Sequence, residues 1–461
     1  MRKSARIEDG RLAAPFQETG PWRAGPASRA LFEEEQGYLT PGLQQIAVFS
    51  GLAMEHGEGP VLYDEDGRSY LDFVAGVCVA SLGHGHPVYA KALAEQAAKL
   101  AVGSFTTRNR VEFLRRLAAK TPKGLDRVQL YSSGTEAVEA ALRLAKSHTR
   151  RFEAVAFWGG FHGKTGGVLG LLGSDFKHEL GPLMPGLYLS PFPNPYRNPF
   201  GIADEEELSA RCLDFLRDKI RNETSGRLAA VVVEPIQGTA GNVIPPPSFL
   251  RGLFALAREH GALLIADEMI TGFGRTGRWF GCEHEGIVPD IMTVGKGMAG
   301  GFPVSGLITT SEIASARPFA DPSGSSSSYG GNPMAAAACN AAMGILESER
   351  LVENSRRVGE AMLKRLRRLE ERSPLIGCVR GRGLLIGVEL VCDRKTKKPL
   401  GKEACRALFD ECLKRGLITM AYSPSLRINP PLNIKQAQAE EGLDILEESL
   451  GAVAARFGTG K

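Results

Sequence analysis

The chain has 461 residues, of which 43% are hydrophobic and 23% charged, and a net charge of +4. That is ordinary for a soluble globular protein with one large core and a smaller one, and the charge is too dilute to point to nucleic acid. No apolar run reaches the roughly 18 residues that span a bilayer, and the charged start MRKSARIEDGRLAAPF lacks the apolar core of a secretion signal.

Eight cysteines without a C-x-x-C pair suggest neither a disulfide framework nor a thiolate metal site, so a reducing cytoplasm is expected. The densest basic segments, residues 364–368 and 394–398, read as solvated surface.

Residues 1–29 are polar and rich in Gly, Pro and Arg, and are expected to form a flexible arm. Residues 61–73, VLYDEDGRSYLDF, place two short apolar runs around Asp66-Gly67, a β-hairpin signal. In GVCVASLGHGHP, which follows, His84 and His86 stand among glycines with no third ligand in sight, so a turn is expected there, then a helix over about 88–100. In residues 128–150, VQLYSSGTEAVEAALRLAKSHTR, a short strand runs into Ser132-Ser133-Gly134-Thr135. A helix follows with Ala137, Ala141, Leu144 and Ala145 on one face. Backbone N–H groups left open at such a helix start, with the hydroxyls beside them, make either an anion cradle or a plain N-cap. No Gly-Lys-Ser/Thr follows, so this is not a P-loop.

A strand at 154–157 leads to WGGFHGKTGG, where Phe161, an aromatic able to cover a flat ring, stands in a glycine-rich loop. A proline-rich loop (182–199), a helix near 205–221, the strand LAAVVVEP with its EPIQG ending, and a helix over 249–260 come next. The chain then reaches ALLIADEMITGFGRTGRWFGCEHEGIVPDIMTVGK, residues 262–296. Its apolar runs at 262–266 and 291–294 suit strands buried on both faces of a parallel sheet. The first delivers Asp267 and the second Lys296, both to the carboxyl edge where ligands of open α/β sheets bind. Lysine and a buried carboxylate suit pyridoxal 5′-phosphate (PLP), since lysine makes the Schiff base and the carboxylate keeps the pyridine nitrogen protonated. Taken alone, the two residues also suit an ordinary ion pair. GFGRTG lacks the following amphipathic helix that a dinucleotide site requires. Farther on, SGSSSSYGG (323–331) is either a low-complexity linker or a phosphate-holding loop, serving a partner subunit in the second case. The strands GLLIGVEL and SLRINPPL and a last helix near 435–455 suit a smaller α/β domain.

Together SSGTEAVEA, FHGKTGG, EPIQG, ADEMITGFGRTG, PDIMTVGKG, SYGGNP, VRGRGLLIGVEL and LRINPPL resemble the class III PLP-dependent aminotransferases over about residues 42–450. The resemblance implies an α/β fold of the aspartate-aminotransferase type (fold type I). A large domain (75–347) would carry a mostly parallel seven-stranded sheet, and residues 30–74 and 348–461 would form the smaller domain. It implies Lys296 as the Schiff-base lysine, Asp267 as the pyridinium partner, and Ser133, Gly134 and Thr135 as the phosphate cradle. Phe161 would stack on the ring, and Ser328 would reach the phosphate of the other subunit in an obligate homodimer with shared active sites.

Three departures bear on substrate. Lys164 replaces the arginine of FHGRT, keeping the charge without the bidentate fork. Thr239 replaces a glutamate that often pairs with an arginine matching Arg427, and Ile270 replaces a glutamine beside the cofactor's phenolic oxygen. These changes look like the ω-amine and β-alanine:pyruvate branch. The expectation is a ping-pong transfer from an ω-amino acid or amine to a keto acid, pyruvate or 2-oxoglutarate. The alternatives are a lyase, aminomutase or phospho-lyase on the same scaffold, or a non-catalytic PLP-binding regulator.

Overall fold

Seven short segments between Arg127 and Thr309 pair into one sheet in the computed structural model, which describes residues 22–457. Across the sheet the order is Arg127–Tyr131, Ser305–Thr309, Ile291–Val294, Leu263–Asp267, Leu228–Val233, Glu153–Phe157 and Leu187–Ser190. Ser305–Thr309 runs antiparallel to both its neighbours, and every other pairing is parallel. The inner strands are buried along their whole length, which is why Leu228–Val233 and residues 263–266 are continuous apolar runs and not alternating ones. Ala137, Ala141, Leu144 and Ala145 of the helix Gly134–Thr149 are fully buried in the same core. Burying a leucine such as Leu144 contributes about 1.5–3 kcal/mol, and the alanines beside it allow close approach to the sheet.

The parallel pairing sends the carboxyl ends of five strands, at Phe157, Ser190, Val233, Asp267 and Val294, to one edge of the sheet. The strand ending at Tyr131 points the same way, being antiparallel to an antiparallel neighbour. Every loop carrying a chemical motif between 132 and 296 therefore leaves the sheet at that edge.

The described residues divide into two compact units, Val88–Glu353 and residues 22–87 with 354–457. In the second unit Val61–Asp64 and Ser69–Asp72 form the expected hairpin, with Gly67 in the left-handed turn position. Another sheet joins Ile376–Arg382, Leu385–Asp393 and Ser425–Ile428, with Arg427 opposite Gly387.

Two expectations are corrected. Residues 1–21 of the expected arm lie outside the described residues, but within 22–29 Trp22, Gly25 and Ser28 are buried. The Trp22 ring is buried with its Nε1–H on the Ser50 carbonyl at 2.8 Å, and the helix Pro26–Gln36 starts with the N–H groups of Ala27 and Ser28 on the Asp66 carboxylate. Residues 75–87, expected in the large domain, stay with the hairpin. Asp72 accepts the N–H groups of Val74 and Ala75 and lies 2.9 Å from His84 Nε2, and the Leu432 N–H donates to the Ser81 carbonyl. Of the two readings left open for the serine-rich segment 323–331, the linker is excluded: Ser325 is buried against Tyr131, and a Cβ on Gly330 would lie 2.1 Å from the Leu130 carbonyl oxygen.

Candidate active site

Asp267 ends its strand with only 2% of its surface exposed, and each of its carboxylate oxygens has a partner. Oδ1 accepts the Thr293 hydroxyl at 3.0 Å and the Met269 N–H at 3.2 Å, while Oδ2 lies 2.7 Å from Nδ1 of His162. His162 is also buried. Burial pushes its pKa down, but the hydrogen bond and charge of Asp267, with Glu234 nearby, outweigh that and raise it above the usual histidine value. Glu234 follows the strand Leu228–Val233 and accepts the N–H groups of Phe161 and Gly238, both at 2.9 Å. Burial, reinforced by the charge of Asp267 and opposed by His162, holds the Glu234 carboxyl above its ordinary range. Two neighbouring residues of one loop, Phe161 and His162, are thus tied to the ends of two different strands.

Lys296 opens a short turn, Lys296–Ala299, with φ of 44°. A non-glycine residue in that region costs on the order of 1–3 kcal/mol and persists only where its surroundings impose it. Here the Met298 N–H bonds the Gly295 carbonyl at 3.0 Å, and the Tyr89 hydroxyl donates to the Ala299 carbonyl at 2.5 Å. The Met269 sulfur links the turn to the helix start, since a Cβ would lie 2.7 Å from it on Gly295 and 3.2 Å on Gly134. Glycine at both positions lets the sulfur sit between them.

Ser133 caps the helix Gly134–Thr149 in a reciprocal arrangement with Glu136, whose Oε2 accepts the N–H groups of Ser133 at 2.7 Å and Ser132 at 3.1 Å. The first-turn N–H groups of Gly134 and Thr135 have no acceptor within the helix and stay available to an anion. Phe161 is half-buried and meets the edge of Phe176, and Lys164 Nζ lies 4.3 Å from the Phe176 ring centre. Thr239 follows Gly238, where a Cβ would lie 2.6 Å from Ile270 Cδ1 and push that side chain aside. Ser328 is exposed on the loop before the helix Pro333–Ser348, and Arg427 belongs to the other unit. No group of His, Cys, Asp or Glu among the described residues is arranged to hold a metal ion.

These residues fit PLP by their chemistry. A sheltered carboxylate suits a protonated ring nitrogen, helix-start amides suit a phosphate, the loop that carries Phe161 is tied to the carboxylate through His162, and an amine sits on a constrained turn.

The fold and this donor set define a PLP-dependent transferase of fold type I. Residues 45–450 match the family described as aminotransferase class-III, and the chain belongs to that family. It is 36% identical over 442 residues to an alanine/serine racemase of Pyrococcus horikoshii, covering 92% of this chain and 91% of the relative. It is 34% identical over 436 residues to a 5-aminovalerate aminotransferase of Pseudomonas aeruginosa, covering 93% and 99%. The solved structure of an (S)-enantioselective omega-transaminase from Thermomicrobium roseum superposes with a TM-score of 0.85 at 33% identity, covering 93% of this chain and 98% of that one. The protein is therefore a PLP-dependent enzyme of the class III aminotransferases.

His162 and Glu234 had not been singled out in the sequence, although both lie inside quoted motifs. The available signal was adjacency: His162 follows the ring-covering Phe161, and Glu234 follows a fully apolar strand.

Proposed function

We propose that the enzyme moves an amino group from an ω-amino acid or amine to a keto acid, pyruvate or 2-oxoglutarate, in two half-reactions at one site. The observation that carries this is the buried Asp267–His162 pair at the same sheet edge as the constrained Lys296 turn. Bound PLP supplies the electron sink for the substrate carbon. Lys296 would hold the cofactor through its amine, and its Nζ would take up and return the proton of the substrate carbon. Asp267, oriented by His162 and Thr293, keeps the ring nitrogen protonated. The Gly134 and Thr135 N–H groups would seat the phosphate, with Ser133 holding the helix start through its N–H and hydroxyl on Glu136, and Phe161 would cover the ring.

We assign Ser328 to the phosphate of a second copy in a homodimer. Five exposed apolar residues within 88–111, among them Phe105 at 83%, support such an interface. The eight cysteines are all thiols and six are buried, which suits the cytoplasm.

Substrate choice is assigned to Lys164, Thr239 and Arg427. Thr239 carries no charge, so it cannot pair with an arginine as a glutamate at that position does. Arg427→Ala should therefore raise KM for a carboxylate-bearing donor by about tenfold or more, the scale of one charged hydrogen bond, and leave a plain amine within about twofold. Equal losses for both donors would remove Arg427 from substrate recognition.

The half-reaction tests the reading as a whole. An amine donor alone should discharge the bound cofactor's visible absorbance once per site, and a keto acid should restore it. Racemisation is the alternative favoured by the Pyrococcus horikoshii relative. Steady conversion of L- to D-alanine without any keto acid would establish it, and acceptor-free release of ammonia or phosphate would instead indicate a lyase.

A further inference from the structure

Glu139 lies one helical turn from Thr135, on the same face of the helix Gly134–Thr149. Its Oε1 accepts the Thr165 hydroxyl and the Gly167 N–H, the latter at 3.1 Å, and Thr165 Oγ1 lies 2.6 Å from Thr135 Oγ1. A carboxylate can only accept, so Thr165 spends its single hydroxyl proton on Glu139. In the remaining contact Thr135 must then be the donor. The polarity runs from Thr135 through Thr165 to Glu139, and the Thr135 hydroxyl hydrogen is committed to this chain.

The loop is seated closely on the helix. A Cβ on Gly163 would lie 2.3 Å from Thr135 Oγ1, and one on Gly167 would lie 2.6 Å from the Glu139 carboxyl carbon. Neither glycine tolerates a side chain without moving the partner that completes the chain.

We infer that Glu139 is a positioning residue of the cofactor site, clasping residues 163–167 to the helix start so that the Thr135 N–H, and not its hydroxyl, meets the phosphate. This rests on the phosphate cradle proposed above. Phe161 is anchored separately, through its N–H to Glu234. Loosening the clasp therefore weakens the hold on the phosphate and leaves the ring cover in place.

The test titrates full-length apo wild type, Glu139→Ala, Glu139→Gln and Thr165→Val with PLP and with pyridoxal, which lacks the phosphate, following protein fluorescence. Glu139→Ala and Thr165→Val should each shrink the PLP-over-pyridoxal preference about tenfold, the scale of a hydrogen bond to a charged group, with pyridoxal affinity held within about twofold. Glu139→Gln keeps an accepting oxygen and should retain the preference within about threefold. An unchanged preference in Glu139→Ala, or equal losses for both ligands, overturns the clasp. A wild type that does not prefer PLP over pyridoxal overturns the cradle itself.

Discussion

Lys296→Ala should lower the rate of amino transfer by about 10³- to 10⁴-fold, the upper range for loss of a positioned acid–base group. The variant should still bind PLP, because the partners of Asp267 and the helix-start amides are untouched. It loses the covalent anchor and the amine that carries the proton. Single-turnover spectra with saturating donor measure the loss. A small soluble amine such as methylamine should restore part of the rate by replacing the missing base. Lys296→Arg should not, since guanidinium stays protonated and cannot form the covalent link. A Lys296→Ala enzyme with wild-type turnover would remove this residue from the chemistry.

Much of the large unit was legible because its strands are continuous apolar runs with a chemical residue at the end. The run before Asp267 and the run before Lys296 needed only their length and composition, and Asp267 proved to be the last residue of its strand. The helix after Ser133 was legible from its alanine stripe and its cap. What escaped was pairing between segments far apart in the chain. Asp267 and His162 are separated by 105 residues and Phe161 and Glu234 by 73, and nothing local marks which buried polar groups meet across a sheet edge. Composition left the serine-rich segment open between linker and packed loop, because the burial of Ser325 depends on Tyr131, 194 residues away. Trp22 was hidden in a polar stretch for a similar reason, since its cover comes from Ser50 and Tyr70.

The Asp267–His162 pair carries the second large effect. Asp267→Asn keeps the shape and an oxygen for Thr293 but removes the charge opposite the ring nitrogen, so kcat should fall about 10²- to 10³-fold, the range for one preorganised electrostatic contact. His162→Ala should also impair turnover and destabilise the fold by about 3–5 kcal/mol, because it strips one member from a buried pair and leaves the other uncompensated. The two losses should not add. Once Asp267 is asparagine there is no charge for His162 to hold, so the double variant should turn over little more slowly than Asp267→Asn alone. The pH dependence has a defined sign. Because the folded-state pKa of His162 is raised above 6.5, the stability its protonation contributes is fully present below the unfolded value and is lost as pH climbs through the folded one. Melting temperatures of wild type and His162→Ala should therefore differ most on the acidic side of that window and converge as the solution becomes alkaline. A gap independent of pH, or rate losses that multiply in the double variant, would mean that His162 acts as packing and not as the charged partner of Asp267.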